Sequence, residues 1–369
     1  MHINLIIFPL IILLGLIFGS SDSPKNRKRY IIFVTIILML EASLRSLSVG
    51  SDTASYYNQF YNIQGMTWSE IWQRVIERYL HNISDYDVGY IVLQKVIGLF
   101  TSSWQVFVFL AQLTFFIPLG KLMYRYSNKM IQLVFAYVLY VALFHISALS
   151  GGRQLYAIGM SIMSFMYLNQ KKYTISIMYI LLGTLIHMTC LLGFLPIILS
   201  KLKINLFKKI HLITLGLVPI VIVSVNRIIV FMGSAVGMEK YASYGTGEIM
   251  GGAWTFISLL LLSSVFIYFA FKKKDLQQNK SLANLYTMVP LFTFFGPLIH
   301  SNGSMIRISM YFHLYLMLLI PFAIDLFFKG RIRTIIYIII IIALLVLSLR
   351  DGGLVYYFYW QEPQLFYLY

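Results

Sequence analysis

A chain of 369 residues that is 59% hydrophobic and only 11% charged does not close into a water-soluble globule, where about a quarter of the residues carry charge. Its apolar stretches are long and continuous, as at Tyr337–Leu349, and lack the alternating polarity of β-barrel strands, so the membrane-crossing elements are helices. The formal charge of +16 is not a nucleic-acid footprint either: twenty of the 29 Lys and Arg sit between apolar runs at 25–29, 121–129, 171–172, 201–209, 272–280 and 329–333, and three of the 13 acids (Asp22, Asp275 and Asp325) fall in or beside these segments. The positive-inside rule makes these segments cytoplasmic and leaves nine basic residues against ten acids facing outward.

In chain order the apolar runs predict spans over 3–19, 30–45, 104–121, 130–149, 153–170, 210–231, 253–271, 282–300, 307–328 and 334–350. The first is read as a span with its N-terminus outside, a cleaved signal peptide being the lesser alternative. Between 46 and 103 lies an outward loop in which Trp68–Leu80 is amphipathic and Val88–Phe100 is apolar enough to lie in or dip into the membrane. The interval 173–200 has Lys171 and Lys172 before it and Lys201 and Lys203 after it, yet its 28 residues are too few for two full spans. A broken hairpin entering from the cytoplasm, with His187 near its tip, is the preferred reading; a single crossing would invert the later topology. A second outward loop, at about 232–252, is rich in Gly and Tyr, and Asp351–Tyr369 is aromatic. All five Trp (68, 72, 104, 254 and 360) fall in or beside outward segments, as an interfacial belt or, less favoured, a platform for sugar rings. The fold class is therefore all-α: a polytopic integral membrane protein of about 10–12 transmembrane helices forming one domain over 1–369. The single cysteine, Cys190, excludes a disulfide framework and a thiolate metal site and reads as a packing residue.

Ionisable groups at membrane depth are costly and usually serve a site. Here they gather toward one side: Glu41, Arg45 and Asp52, then His145 and Arg153, then His187, Arg227, and His300 with Arg307. Glu41 and Arg45 are four apart on one predicted helix, the spacing of an ion pair. Asp52 stands just outside its span in Ser51-Asp52-Thr53-Ala54-Ser55-Tyr56-Tyr57, as a base or hydroxyl acceptor, or as a helix N-cap. His145 and Arg153 bracket a turn ending in Gly151-Gly152, and Arg153-Gln154 opens the next helix. An Arg fork at a helix N-terminus suits a diphosphate, although a snorkelling Arg is the plainer reading there and at Arg307, which has Tyr311 one turn on. His187 reads equally as a core histidine. Asp85 and Asp87 form the kind of pair that can hold a divalent ion, but so short a motif is weak, and no metal or cofactor is expected. Phosphate-loop, zinc-protease and nucleophile-elbow motifs are missing from the sequence.

In their order, Asp52-x-x-x-Tyr56-Tyr57, Asp87-x-Gly89-Tyr90, Gly152-Arg153-Gln154-x-x-Ala157, His187 before a Leu- and Pro-rich run, and Arg307 with its Tyr-rich span resemble the EpsG family of Wzy-like polymerases of bacterial exopolysaccharide and O-antigen. The resemblance covers nearly the whole chain. One departure is Met188-Thr189-Cys190, which only partly fits the small residue the family places after its histidine. The resemblance implies a GT-C-like arrangement in the bacterial cytoplasmic membrane and a metal-independent glycosyltransferase with an outward-facing site. Such an enzyme moves a glycan from undecaprenyl diphosphate to a lipid-linked repeat unit. Its implied partners are undecaprenyl-diphosphate-linked oligosaccharide and the lipid bilayer, with a chain-length regulator and a flippase as protein partners and no nucleic acid. Catalytic roles then fall to Asp52, Arg153, His187 and Arg307, and substrate binding to Arg45, Tyr56, Tyr57, Tyr90, His145, Gln154, His300 and Tyr311. Two rival readings stay open: another membrane glycosyl- or acyltransferase that modifies polysaccharide, and a lipid-linked glycan transporter.

Overall fold

The computed structural model describes residues 2–80, 87–202, 204–235, 243, 245–246, 253–272, 280–350 and 355–361. Asp85, Pro363 and most of the 232–252 loop lie outside the described residues. The described chain is helical, with two isolated extended bridges, His2 with Val355 and Arg45 with Phe358. Among the described residues, five helical stretches are long and apolar enough to cross a membrane: Trp104–Tyr126, Leu206–Val223, Trp254–Lys272, Ser281–His300 and Gly330–Leu349. The pair Gly303–His313 and Leu316–Phe327, bent by 55°, makes a sixth, and shorter apolar helices such as Asn4–Gly19, Met130–Leu143 and Tyr173–Ile186 accompany them. The protein is thus a polytopic all-α membrane protein. Several predicted spans are split: the 130–149 run breaks after Leu143, the 210–231 run after Val223 and the 307–328 run after His313.

The chain divides into two compact units, Met1–Leu191 with Tyr337–Tyr369, and Leu192–Ile336. In the first, α1 (Asn4–Gly19) and α2 (Pro24–Ser43) lead to three helices of the outward loop, α3 (Thr53–Gly65), α4 (Trp68–Leu80) and α5 (Val88–Gly98). They are followed by α6 (Trp104–Tyr126), α7 (Met130–Leu143), α8 (His145–Ser150), α9 (Gly152–Asn169) and α10 (Tyr173–Ile186). Pro24 fits the first turn of α2 because that position needs no amide, and Ser23 caps it by accepting from Asn26 N at 3.2 Å. The amphipathic α4 starts with a capping box: Glu70 N donates to Thr67 Oγ1 at 3.3 Å, while Thr67 N and Oγ1 donate to Glu70 Oε2 at 2.6 and 2.8 Å. Those donors hold the Glu70 carboxylate below its usual pKa.

Polar contacts sort this unit into two ends. At one, Asp22 Oδ1 accepts from Met130 N at 3.0 Å, Arg27 donates to the Asn128 carbonyl, and Asn169 Nδ2 donates to Tyr126 Oη at 2.7 Å, so three of the basic segments share a level. Glu41, His145, Arg45 and Leu149 meet at the other. Because α9 runs between these ends, its placement sets where Arg153 sits. Close approach to α6 does this: a Cβ on Gly159 would lie 2.1 Å from the Thr114 carbonyl oxygen. The interval after Lys172 is one helix, α10, that stops at His187, whose backbone is extended (φ −158°, ψ 122°); a 3₁₀ turn over Met188–Gly193 and α11 (Phe194–Leu199) follow. His187 therefore stands at a break, as expected. Cys190 is fully buried, its Sγ 3.4 Å from the Ala157 carbonyl in space that Gly183 leaves open.

In the second unit, α12 (Ile204–Val223) and α13 (Val225–Ala235) precede α14 (Trp254–Lys272), α15 (Lys280–Tyr286), α16 (Met288–Phe295), α17 (Ile306–His313) and α18 (Leu316–Phe327); α19 (Gly330–Arg350) leads back to the first. Its core is tied by a histidine that the sequence reading passed over. His211 Nδ1 lies 2.6 Å from Tyr286 Oη and Nε2 lies 2.7 Å from Ser264 Oγ, which in turn is 2.7 Å from Thr293 Oγ1. All four residues are buried, and each polar group meets another, as a low-dielectric interior requires.

Gly159→Ala is expected to cost about 2 kcal/mol, because a carbonyl of α6 has no room to retreat. Gly216→Ala, at a position with nothing within 4 Å, should leave stability unchanged or raised. Thermal unfolding in detergent compares the two.

Candidate functional site

The first residue of consequence is Arg153, in the opening turn of α9, where its backbone amides lack helical acceptors. Nη1 donates to Asp87 Oδ2 at 3.2 Å, and the guanidinium carbon lies 5.4 Å from the Tyr56 ring centroid and 5.9 Å from that of Tyr90. The two rings meet edge-on at 5.6 Å. One carboxylate and two π faces hold the cation, and Arg153 Nε, also buried, has no hydrogen-bond partner among the described residues. Beside them stands Asp52, at the N-cap position of α3, with no side-chain capping bond. Its carboxylate accepts instead from Ser51 Oγ at 3.2 Å and from Tyr56 Oη at 3.5 Å. Tyr56 thus touches both the acid and the cation, and its ring faces Gly152 at the start of α9, where a Cβ would lie 3.4 Å away in ordinary contact.

Three braces fix this group. Lys95 of α5 is buried and donates through Nζ to the Ile63, Gln64 and Met66 carbonyls at 3.3, 2.9 and 2.6 Å, capping the negative end of α3. Arg45 is buried too; it donates to the Ala42 carbonyl, to Leu149 O at 3.2 Å and to Thr53 Oγ1 at 3.4 Å, so it ties the start of α3 to the end of α8, just before Arg153. Gly50, at φ +94°, lets the chain pass the Leu149 carbonyl, from which a Cβ would be 3.1 Å away. The third brace is Gly89, where a Cβ would meet the Leu185 carbonyl carbon at 2.7 Å, so α5 rests on the backbone just before His187. His187 Nδ1 accepts from Thr189 N at 3.4 Å and lies 2.8 Å from Thr189 Oγ1. A nitrogen that accepts from an amide carries no proton, so neutral His187 holds its hydrogen on Nε2.

Several expectations change in this geometry. Glu41 does not pair with Arg45, because α2 ends at Ser43 and Arg45 lies beyond it in extended backbone. Its partner is His145: Glu41 Oε2 and His145 Nε2, both buried, are 2.7 Å apart, at an angle that leaves neither a linear hydrogen bond. Arg45 and His145, both expected to bind substrate, are enclosed and engaged inside the protein. Gln154 is likewise buried. Tyr57 turns away to meet Tyr61 at a tilt, 4.7 Å between centroids, and Trp104 edge-on at 5.8 Å; burial and Tyr61 raise its phenol above the ordinary pKa. Trp104 is core, only 2% exposed, and not part of an interfacial belt. Arg307, His300 and the buried Tyr311 belong to the second unit, where His300 packs 4.7 Å from the Trp254 ring and Ser301 Oγ donates to Asn226 Oδ1 at 2.6 Å.

The EpsG family model matches residues 28–352. The chain belongs to the EpsG family. No match appears among curated proteins or among solved structures. For this EpsG-family protein the matched segment contains every residue of the group around Arg153. Two roles are not marked in the sequence: Asp87, which stands there in the Asp87-x-Gly89-Tyr90 motif and in a weak metal pair, is the counter-charge of Arg153, and Lys95 is a cap. Lys95 carried a usable signal, a charge inside the apolar run Val92–Ile97 that called for a partner.

Lys95→Met should lower stability by about 1–3 kcal/mol, since three carbonyls lose a buried donor at once. Thermal unfolding measures this, and limited proteolysis should show cleavage between α3 and α4 appearing first.

Proposed function

We propose that this EpsG-family membrane protein is a polysaccharide polymerase. It transfers a growing glycan from undecaprenyl diphosphate to a lipid-linked repeat unit at the outer face of the bacterial cytoplasmic membrane. The observation that carries the reading is the Arg153 guanidinium held by Asp87 between Tyr56 and Tyr90, with the Asp52 carboxylate one tyrosine away. In the reaction the bond from the anomeric carbon to the diphosphate oxygen breaks, and a bond from that carbon to the acceptor hydroxyl oxygen forms. Positive charge builds on the sugar and negative charge on the leaving diphosphate. Arg153 answers the latter, because its fork is fixed before substrate arrives and its Nε–H has no protein acceptor among the described residues.

The proton of the acceptor hydroxyl goes to Asp52, whose oxygens accept from two hydroxyl groups in the same manner as they would from a sugar. His187 is the weaker base on geometric grounds: its Nδ1 is engaged with Thr189, and its Nε2–H suits a donor to substrate oxygen. Tyr90, fully buried, supports the guanidinium from behind. The role of Arg307 as a second phosphate-directed cation, with His300 and Tyr311, rests on the family resemblance alone.

Cells deleted for the gene and complemented in parallel with wild type, Arg153→Lys and Asp52→Asn test this through gel analysis of lipid-linked glycans. The expected result is long chains with wild type only, single repeat units accumulating on lipid otherwise, and polymerisation at least about a hundredfold slower for Arg153→Lys. Long chains that persist in the deletion but lack one substituent would instead make the protein a decorating transferase.

A further inference from the structure

The C-terminal segment Val355–Gln361 plays no part in the chemistry above, yet it is mounted with care. Ser46 N donates to Tyr357 O at 2.8 Å and Tyr359 N to Leu44 O at 2.9 Å; Arg45 and Phe358 pair as a bridge, and Val355 pairs with His2. Buried Tyr356 donates its hydroxyl to the Glu41 carbonyl, and burial first, then Glu41, keeps that phenol protonated far above its ordinary range. A turn follows in which Gln361 N donates to Phe358 O at 2.9 Å and Phe358 N to Gln361 Oε1 at 2.9 Å. The strap is thus fastened to the end of α2 beside Arg45, whose guanidinium holds the end of α8 before Arg153 and the start of α3.

On this rigid mount Phe358 and Trp360 stack with centroids 4.5 Å apart and planes within 9°, and Tyr359 meets Trp360 edge-on at 5.0 Å. Trp360 is 57% exposed, Tyr359 46% and Tyr357 42%. Residues 355–361 carry no charge. A flat indole backed by a second ring offers a negative π face to weakly positive C–H groups, and flanking phenols offer hydroxyl donors. That pairing suits a pyranose, whose one face is C–H and whose rim is hydroxyl. Interfacial anchors are ordinarily single aromatic side chains at helix ends, whereas here the aromatics are pre-stacked on non-helical backbone hydrogen-bonded to the frame of the Arg153 site.

We propose that this strap is a carbohydrate-binding platform on which Trp360 stacks a sugar ring of the glycan chain beside the Arg153 site. The identity of the glycan rests on the polymerase reading; the platform itself does not. The test uses the full-length protein in phosphatidylcholine nanodiscs and end-labelled oligosaccharides made by partial hydrolysis of the source bacterium's surface polysaccharide. These lack a lipid diphosphate and so report the platform alone. Trp360→Ala should bind them about tenfold more weakly than wild type, and Trp360→Phe should recover most of the loss, since a ring remains. Binding by Trp360→Ala equal to wild type overturns the proposal. So does quenching of Trp360 by brominated lipids, measured as wild type against Trp360→Phe, which would assign the strap to the bilayer interface. Trp360-dependent binding together with long chains that persist in the gene deletion would sink the polymerase reading and leave the platform standing.

Discussion

A guanidinium at the margin of a membrane protein has to be neutralised without being consumed, and the first unit is arranged around that requirement. Asp87 supplies the opposite charge, while Tyr56 and Tyr90 supply two π faces at 5.4 and 5.9 Å. A cation packed against rings loses less on leaving water than one packed against aliphatic groups, and it keeps its charge for an incoming anion. Tyr56 links this cation to Asp52, so the cation and the base of the proposed chemistry share one side chain as their spacer.

Precision in such a group has to come from the backbone, because the loops that carry it are short helices with little core of their own. Lys95 welds α5 to the end of α3, and Arg45 welds the start of α3 to the end of α8 at Leu149. Gly89 and Gly159 bring α5 and α9 against neighbouring carbonyls, where a methyl group would not fit. Long cationic side chains spent on main-chain carbonyls cost rotamer freedom, but each also satisfies several buried acceptors that water no longer reaches. The Glu41 and His145 pair is enclosed too, but as a side-chain contact, set beside the Tyr356 hydroxyl that reaches the Glu41 carbonyl.

Periodicity and charge placement made much of this fold legible beforehand. The apolar runs anticipated the helices, the short interval before Lys201 anticipated a break at His187, and the amphipathic stretch at Trp68 anticipated α4. Clustering of polar residues toward one end was also readable, and in the first unit Glu41, Arg45 and His145 do meet there. Partnerships were not readable. Arg153 and Asp87 are 66 positions apart, and nothing local marks either as the other's counter-charge. The rule that pairs Glu41 with Arg45 assumes a helix running through both, whereas α2 ends between them. His211 hid in an apolar run because its partners Tyr286 and Ser264 lie 75 and 53 positions away.

The central claim is that Arg153 is a diphosphate-directed cation restrained by Asp87, and the most direct measurement is the affinity of the purified protein for a short-chain prenyl diphosphate. The account predicts weaker binding for Arg153→Lys, which loses the fork, and tighter binding for Asp87→Asn, which removes the competing carboxylate. Equal affinity across wild type and both variants would contradict it, and would place the diphosphate elsewhere in the protein.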